Sequence, residues 1–431
     1  MSTSPNQATS TRDLRTRHAF VLLTAGQTVS AFGDAFSTVA MPLLILGLTG
    51  SVAKMGLVVG LSTASQLIGG VVAGSIVDRV DRRRLAVACD LARLLLCGLI
   101  PVTWLLAPAA TWSQMGVWLA FFVVAASSLL FSLYEVAFRA MLPQLVGRDQ
   151  LMVANARLAT STEIAYGVGP ALAGLTVASI GEPLAIGINA LSFGVAGLAW
   201  FLLRPRTATA GAAAGRPLAW RGQLAGLRFV WDDRTLRSLG AVEAANALLF
   251  AGASTLFIYY VRHDLGRGST TIGILLTFGS VGAVAAALAA ARTRSWLGPG
   301  RALLAGGALQ GLALSCVAFA HSMASLAVLI VVFGFSQILV VILAMSLRQE
   351  RTPDQMLGRV SATILTGSLA MRALGGVTST ALASHLSAQT VFVIIGFVAL
   401  VVFAAGWLTP LGERELAAPV PSTGLQRPLS H

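Results

Sequence analysis

Twelve apolar runs of about twenty residues punctuate this chain. Runs of that length match a helix crossing a hydrocarbon core roughly 30 Å thick. They fall at about 19–48, 52–77, 85–106, 114–138, 155–179 and 184–203, then at 238–261, 271–291, 302–320, 324–346, 361–384 and 389–409. Charged residues make up 11% of the 431, and mean hydropathy is +0.79. A soluble domain of this size carries about a quarter of its residues as charges. The fold class that follows is an all-α integral membrane protein with twelve transmembrane helices.

The charges that remain choose an orientation. Cytoplasmic loops near span ends carry the excess of Arg and Lys. Of the thirty basic residues, twenty-five fall in segments on one side and only Lys54, Arg262 and Arg267 on the other; Arg93 and Arg372 lie within spans. An even span count puts both ends of the chain on the basic side, so both termini are expected in the cytoplasm and the protein in the cell's inner (plasma) membrane. The net charge of +13 is thus a topology signal, and no nucleic-acid partner is expected. The polar stretch before residue 19 has no short apolar core followed by a cleavage site and is expected to be a cytoplasmic tail.

Several classes drop out. The cysteines, Cys89, Cys97 and Cys316, all sit in apolar runs with no metal-ligand spacing, so neither metal nor cofactor is expected. The five histidines are scattered, no paired catalytic carboxylates stand out, and the single lysine, Lys54, leaves no Walker A lysine for an ATP-driven motor. An enzyme is not expected.

The organisation is six spans, a connector and six spans. The expected parts are a tail (1–18), a first bundle (19–203), a linker (204–237), a second bundle (238–409) and a tail (410–431). "RPRTATAGAAAGRP" (204–217) reads as a flexible linker. Leu224, Leu227, Val230 and Trp231, set among Arg221, Arg228 and Arg234, suggest an amphipathic helix lying on the inner leaflet. The halves echo each other: "RAMLPQLVGRDQLMVANA" (139–156) follows span four and "RQERTPDQMLGRVSA" (348–362) follows span ten. Two pseudo-symmetric six-helix bundles around a midplane cavity are a transporter architecture.

The densest charge lies where spans two and three meet. In "GSIVDRVDRRRLAV" (74–87), Asp78 to Arg84 carries six charges in seven residues. Asp78 offers a carboxylate to exposed N–H groups at a neighbouring helix start. Arg79, Arg82 and Arg83 can pair that carboxylate, reach lipid headgroups or bond the last carbonyls of a helix.

Gly74-x-x-x-Asp78-Arg79-x-x-Arg82-Arg83 resembles the loop 2–3 signature of the major facilitator superfamily and stands between the corresponding spans. That resemblance implies the major facilitator fold, with this loop as a cytoplasmic latch and Asp78 against the start of span eleven near Ser361 to Thr363. Asp81 departs from the pattern, which usually has a small residue there. "SAFGDAFSTVAMPLLI" (30–45), "FSLYEVAFRAMLPQLVGRDQLMVANARL" (131–158) and the segment after span ten resemble the macrolide-efflux and siderophore-exporter branch. "AYGVGPALAG" (165–174) resembles the antiporter motif of that superfamily's exporters: Gly169, Pro170 and Gly174 match, while Ala165 and Ala173 replace two glycines. The branch implies export.

Charges inside the spans are candidate functional groups, because each costs roughly 2.5–3.5 kcal/mol at mid-bilayer. Asp34 stands about 22 Å along span one, too deep to snorkel; it needs water, a partner or a proton. Glu163, with Tyr166 one turn on, is a second proton-carrier candidate. Glu135 and Arg139, four apart in span four, can pair across one turn and read as a structural or gating pair first, a proton site second. Asp90 and Arg93 in span three are expected to extend the hairpin network. Arg372 in span eleven has no carboxylate within a turn and calls for a partner on another helix or on an anionic substrate.

The function these features suggest is proton-coupled antiport that exports a hydrophobic drug, antibiotic or secondary metabolite by alternating access. Importer, facilitator and siderophore exporter are the alternatives. The expected partners are a small-molecule substrate, the proton and membrane lipid, and the protein is expected to be a monomer.

Overall fold

The computed structural model describes residues 5–77, 79–146, 151–202 and 220–413. Twelve helices in it are long and apolar enough to cross a membrane. In chain order they are α1 (Pro5–Thr49), α2 (Val52–Val77), α3 (Arg82–Leu106), α4 (Ala109–Val146), α5 (Leu151–Ile180) and α6 (Glu182–Leu202). Then come α7 (Arg234–Phe250), α8 (Ser269–Leu297), α9 (Pro299–Val317), α10 (Met323–Arg351), α11 (Asp354–Ala383) and α12 (Ala388–Gly406). The seventh span continues past α7 as a short helix (Ala253–Tyr259) and a single π turn (Tyr260–Asp264). A further helix, Trp220–Asp232, precedes α7.

Local chemistry sets the helix ends. Asp81 caps α3, its carboxylate accepting from the Arg84 N–H at 2.8 Å. Asp233 caps α7 by accepting from the amides of Thr235 and Leu236 at 2.8 and 2.9 Å. Each supplies an acceptor to amides that have no partner inside the helix. Gly181 alone joins α5 to α6, and its φ of 87° is one that a side chain would resist.

The chain divides into two compact units, residues 1–217 with 255–277, and residues 218–254 with 278–431. In the first, α1 packs on α5 and α6, α3 on α4 and α6, and α2 on α4. An aromatic cluster, Tyr134, Phe138 and Trp200, anchors α4 to α6, with the Trp200 indole N–H donating to the Tyr134 hydroxyl at 3.0 Å. In the second, α9 packs on α10 and α12, and α7 on α11. Phe392 and Phe403 of α12 are fully buried there. Small residues set these close approaches, as is usual where lipid supplies no hydrophobic drive between helices. A Cβ on Gly375 of α11 would strike the Leu248 carbonyl of α7.

The helix Trp220–Asp232 packs against α11. Its Val230 is buried and Gly226 abuts the Arg359 carbonyl, while Leu227 and Trp231 are exposed. The linker residues 204–217 and most of the C-terminal tail lie outside the described residues.

Candidate functional site: two acid–arginine pairs

Asp34 sits on α1 beside Gly33. A Cβ at Gly33 would collide with the Ser192 hydroxyl and Asn189 side chain of α6, so the missing side chain lets α6 close on α1 at the level of the carboxylate. Asn189 donates to the Ser37 hydroxyl at 2.6 Å one turn further along. From α3, Arg93 reaches across and donates to an Asp34 carboxylate oxygen at 3.1 Å. Its side chain is 6% exposed, against 25% for Asp34. The guanidinium lies 3.7 Å from the Phe193 ring centroid and 5.4 Å from that of Phe131. Such stacking holds a delocalised cation where an ammonium would be poorly accommodated.

Asp90, one turn before Arg93, is buried, and neither of its carboxylate oxygens has a hydrogen-bond partner among the described residues. This differs from the expectation that Asp90 and Arg93 extend the hairpin network. Arg93 turns away from the hairpin to α1, because the α3 face that carries it packs on α6 beside Asp34.

The hairpin itself is stitched by other atoms. Arg83 donates from Nε to the Trp200 carbonyl at 2.9 Å and from Nη2 to that of Phe201 at 2.5 Å, closing the C-terminal end of α6. Asp81, the residue that departs from the family pattern, is the α3 cap. Arg79 is exposed and Arg82 partly so, and neither makes an ion pair among the described residues. Asp78 lies outside the described residues, and Gly74 falls in the last turns of α2.

Glu135 and Arg139 pair across one turn of α4 at 2.6 Å, with side chains 32% and 77% exposed. Glu163 on α5 and Arg372 on α11 are both exposed and form no ion pair among the described residues. In the antiporter-like segment of α5, Gly169 meets Ala35 of α1 with no space for a Cβ, and Gly174 abuts the Ser269 carbonyl at the start of α8, within the same unit. Just after Pro170, Ala171 gives its backbone N–H to the Thr277 hydroxyl at 3.1 Å.

The second unit holds a pair that the sequence reading passes over. Arg348 of α10 donates to both carboxylate oxygens of Glu243 of α7, each at 2.8 Å, and each side chain is 16% exposed. The signal lay in the internal repeat: the shift that lays Asp34 on Glu243 also lays Arg139 on Arg348 and Ser37 on Asn246. Each half carries an acid on its first helix paired with an arginine from another helix of the same half, but the arginines are not repeat counterparts: Arg139 pairs with Glu135 on its own helix, and Arg93 takes its place at Asp34. Asn246, one turn beyond Glu243, has a buried side-chain oxygen without a partner among the described residues.

Twelve helices long and apolar enough to cross a membrane, with two buried acid–arginine pairs between them, define a polytopic membrane protein. The family model described as Major Facilitator Superfamily matches residues 23–376 and 239–431, and the chain belongs to that superfamily. It is similar to the multidrug efflux pump Tap of Mycolicibacterium fortuitum, 28% identical over 417 residues that cover 93% of this chain and 96% of the relative. It is also similar to the enterobactin exporter EntS of Salmonella typhimurium, 26% identical over 407 residues, 93% and 94% of the two chains. Among solved structures, the nucleoside transporter NupG superposes with a TM-score of 0.74 at 13% identity, covering 92% of this chain and all of NupG. The protein is a multi-pass membrane transporter acting on small molecules.

Proposed function

We propose that this transporter exports apolar or cationic organic molecules from the cytoplasm in exchange for protons, by alternating access between its two six-helix halves. Both termini face the cytoplasm in this reading, the protein acts as a monomer in the plasma membrane, and the 2–3 hairpin with Asp78 serves as its latch. The observation that carries the proposal is the Asp34–Arg93 pair, an acid and a base from different helices held inside the membrane. The export direction is supported by the similarity to two exporters over nearly the whole chain.

A proton arriving on Asp34 neutralises the carboxylate and discharges the ion pair. Arg93 keeps its contact with Phe193 but loses its hold on α1, which frees α1 and α3 to shift. Loss of the proton to the cytoplasm restores the pair. One charge moving inward is worth about 2.3 kcal/mol per 100 mV, enough to bias such a cycle. Glu163 and Glu135 remain the other carboxylates to test for proton carriage.

A siderophore is the second reading. Arg372 on α11, which forms no ion pair among the described residues, suits an anionic cargo, and EntS is one of the relatives. Accumulation of a cationic dye, a macrolide and a labelled catecholate siderophore, in cells with and without the protein, separates the two. Measured at two external pH values with and without a proton uncoupler, export of the first two that collapses with the uncoupler supports the proposal. Uncoupler-insensitive export removes the proton from it.

A further inference from the structure

At the end of the first unit opposite the arginine-rich loops, α1, α2 and α4 diverge around a cavity of about 800 Å³. Its rim is polar: Lys54, Ser113 and Gln114. Below the rim, Leu57, Leu61 and Ala64 run down one face of α2, and Val117, Trp118 and Phe121 down the facing side of α4. Lys54 to Ala64 is ten residues of helix, or about 15 Å at 1.5 Å per residue. That is one leaflet of a hydrocarbon core roughly 30 Å thick. The cavity is thus a slot one leaflet deep, with a cation at the mouth and apolar walls beneath.

Lys54 is the chain's only lysine. It is exposed, makes no ion pair among the described residues, and no Asp or Glu lines the cavity to answer its charge. Trp118, 73% exposed, stands where interfacial indoles gather. We propose that this slot binds an anionic phospholipid of the outer leaflet, its phosphate on Lys54 and one acyl chain along Leu57, Leu61 and Phe121. Charge complementarity selects the headgroup and the depth of the slot selects the chain. A free anion would have no use for the apolar walls, and a zwitterionic lipid would carry its own counter-charge to the lysine.

The test uses the full-length protein in detergent. Its unfolding midpoint and lipid retention are followed as phosphatidylglycerol, phosphatidylcholine of matched chains, or inorganic phosphate is added. Phosphatidylglycerol should raise the midpoint most and inorganic phosphate should not raise it. Lys54→Gln should weaken phosphatidylglycerol retention about tenfold, the loss of one charge-assisted hydrogen bond, and Lys54→Arg should restore it. Ala64→Phe, which fills the slot and leaves the charge in place, should abolish retention while the midpoint without lipid holds. An undiminished phosphatidylglycerol preference in Lys54→Gln would overturn the assignment. So would an equal response to inorganic phosphate, or loss of a dimer as the only effect of Ala64→Phe.

Discussion

Arg348 grips Glu243 through both carboxylate oxygens at 2.8 Å, fastening α10 to α7. Both contacts come from one guanidinium nitrogen, Nη2, while Nε has no hydrogen-bond partner among the described residues, and most of the pair's surface is withdrawn from solvent. Breaking it from one side strands the other partner. Arg348→Met should therefore destabilise the protein by about 3–5 kcal/mol, with Glu243→Gln milder because the amide still accepts a hydrogen bond. The double variant should recover part of the loss, read as the unfolding midpoint of the purified protein in detergent.

Asp34→Asn keeps the size and an acceptor at that position and removes the carboxylate proposed to take up the proton. Efflux driven by an external acid step should fall roughly tenfold or more, on the scale of one lost charge-assisted hydrogen bond, and its dependence on external pH should flatten. Arg93→Lys keeps the charge but not the flat stacking on Phe193 and should fall between wild type and Asp34→Asn. Full pH dependence in Asp34→Asn would move the proton to another carboxylate.

Gly169 and Gly98 are a matched test of packing. A Cβ at Gly169 runs into Ala35 of α1, whereas at Gly98 it meets open space. Gly169→Ala should cost about 1–3 kcal/mol through forced backbone movement and lower transport, while Gly98→Ala should be neutral or slightly stabilising in its helix. Folded yield and midpoint for the two variants, side by side, decide it.

Asp81 caps α3, so Asp81→Ala should lower stability by about 1 kcal/mol, whereas Asp81→Asn and Asp81→Ser should preserve it. Equal loss in all three variants would assign the effect to the charge rather than to the cap.

Much of this is legible in the sequence alone. Span length and arginine placement come from the thickness and sidedness of a bilayer, which act on each segment separately, so they can be read segment by segment. Asp34 stood out because depth alone made it expensive. Its partner did not, since nothing local says that an arginine on α3 faces α1 and not the hairpin a few residues away. Glu243 and Arg348 were passed over for a different reason. Both lie close enough to the arginine-rich ends of their spans that Arg348 reads as a loop charge, and only the internal repeat marks Glu243 as the counterpart of Asp34. The break in the seventh span left no trace in hydropathy, because the residues on both sides of it are apolar. The cap at Asp81 is not legible in the loop, where the residue reads only as a departure from a pattern that usually has a small residue, with nothing local to point its carboxylate at backbone amides.

Arg93 is rooted in α3, tied to Asp34 of α1 and flanked by the rings of Phe131 from α4 and Phe193 from α6. Four helices of one unit therefore share a single mechanical hub. Disturbing any of them changes the seat of the same side chain, so transport-altering substitutions scattered over α1, α3, α4 and α6 should behave as one linkage group and not as independent lesions. Random mutagenesis would then place second-site suppressors of a defect on one of these helices preferentially on the other three.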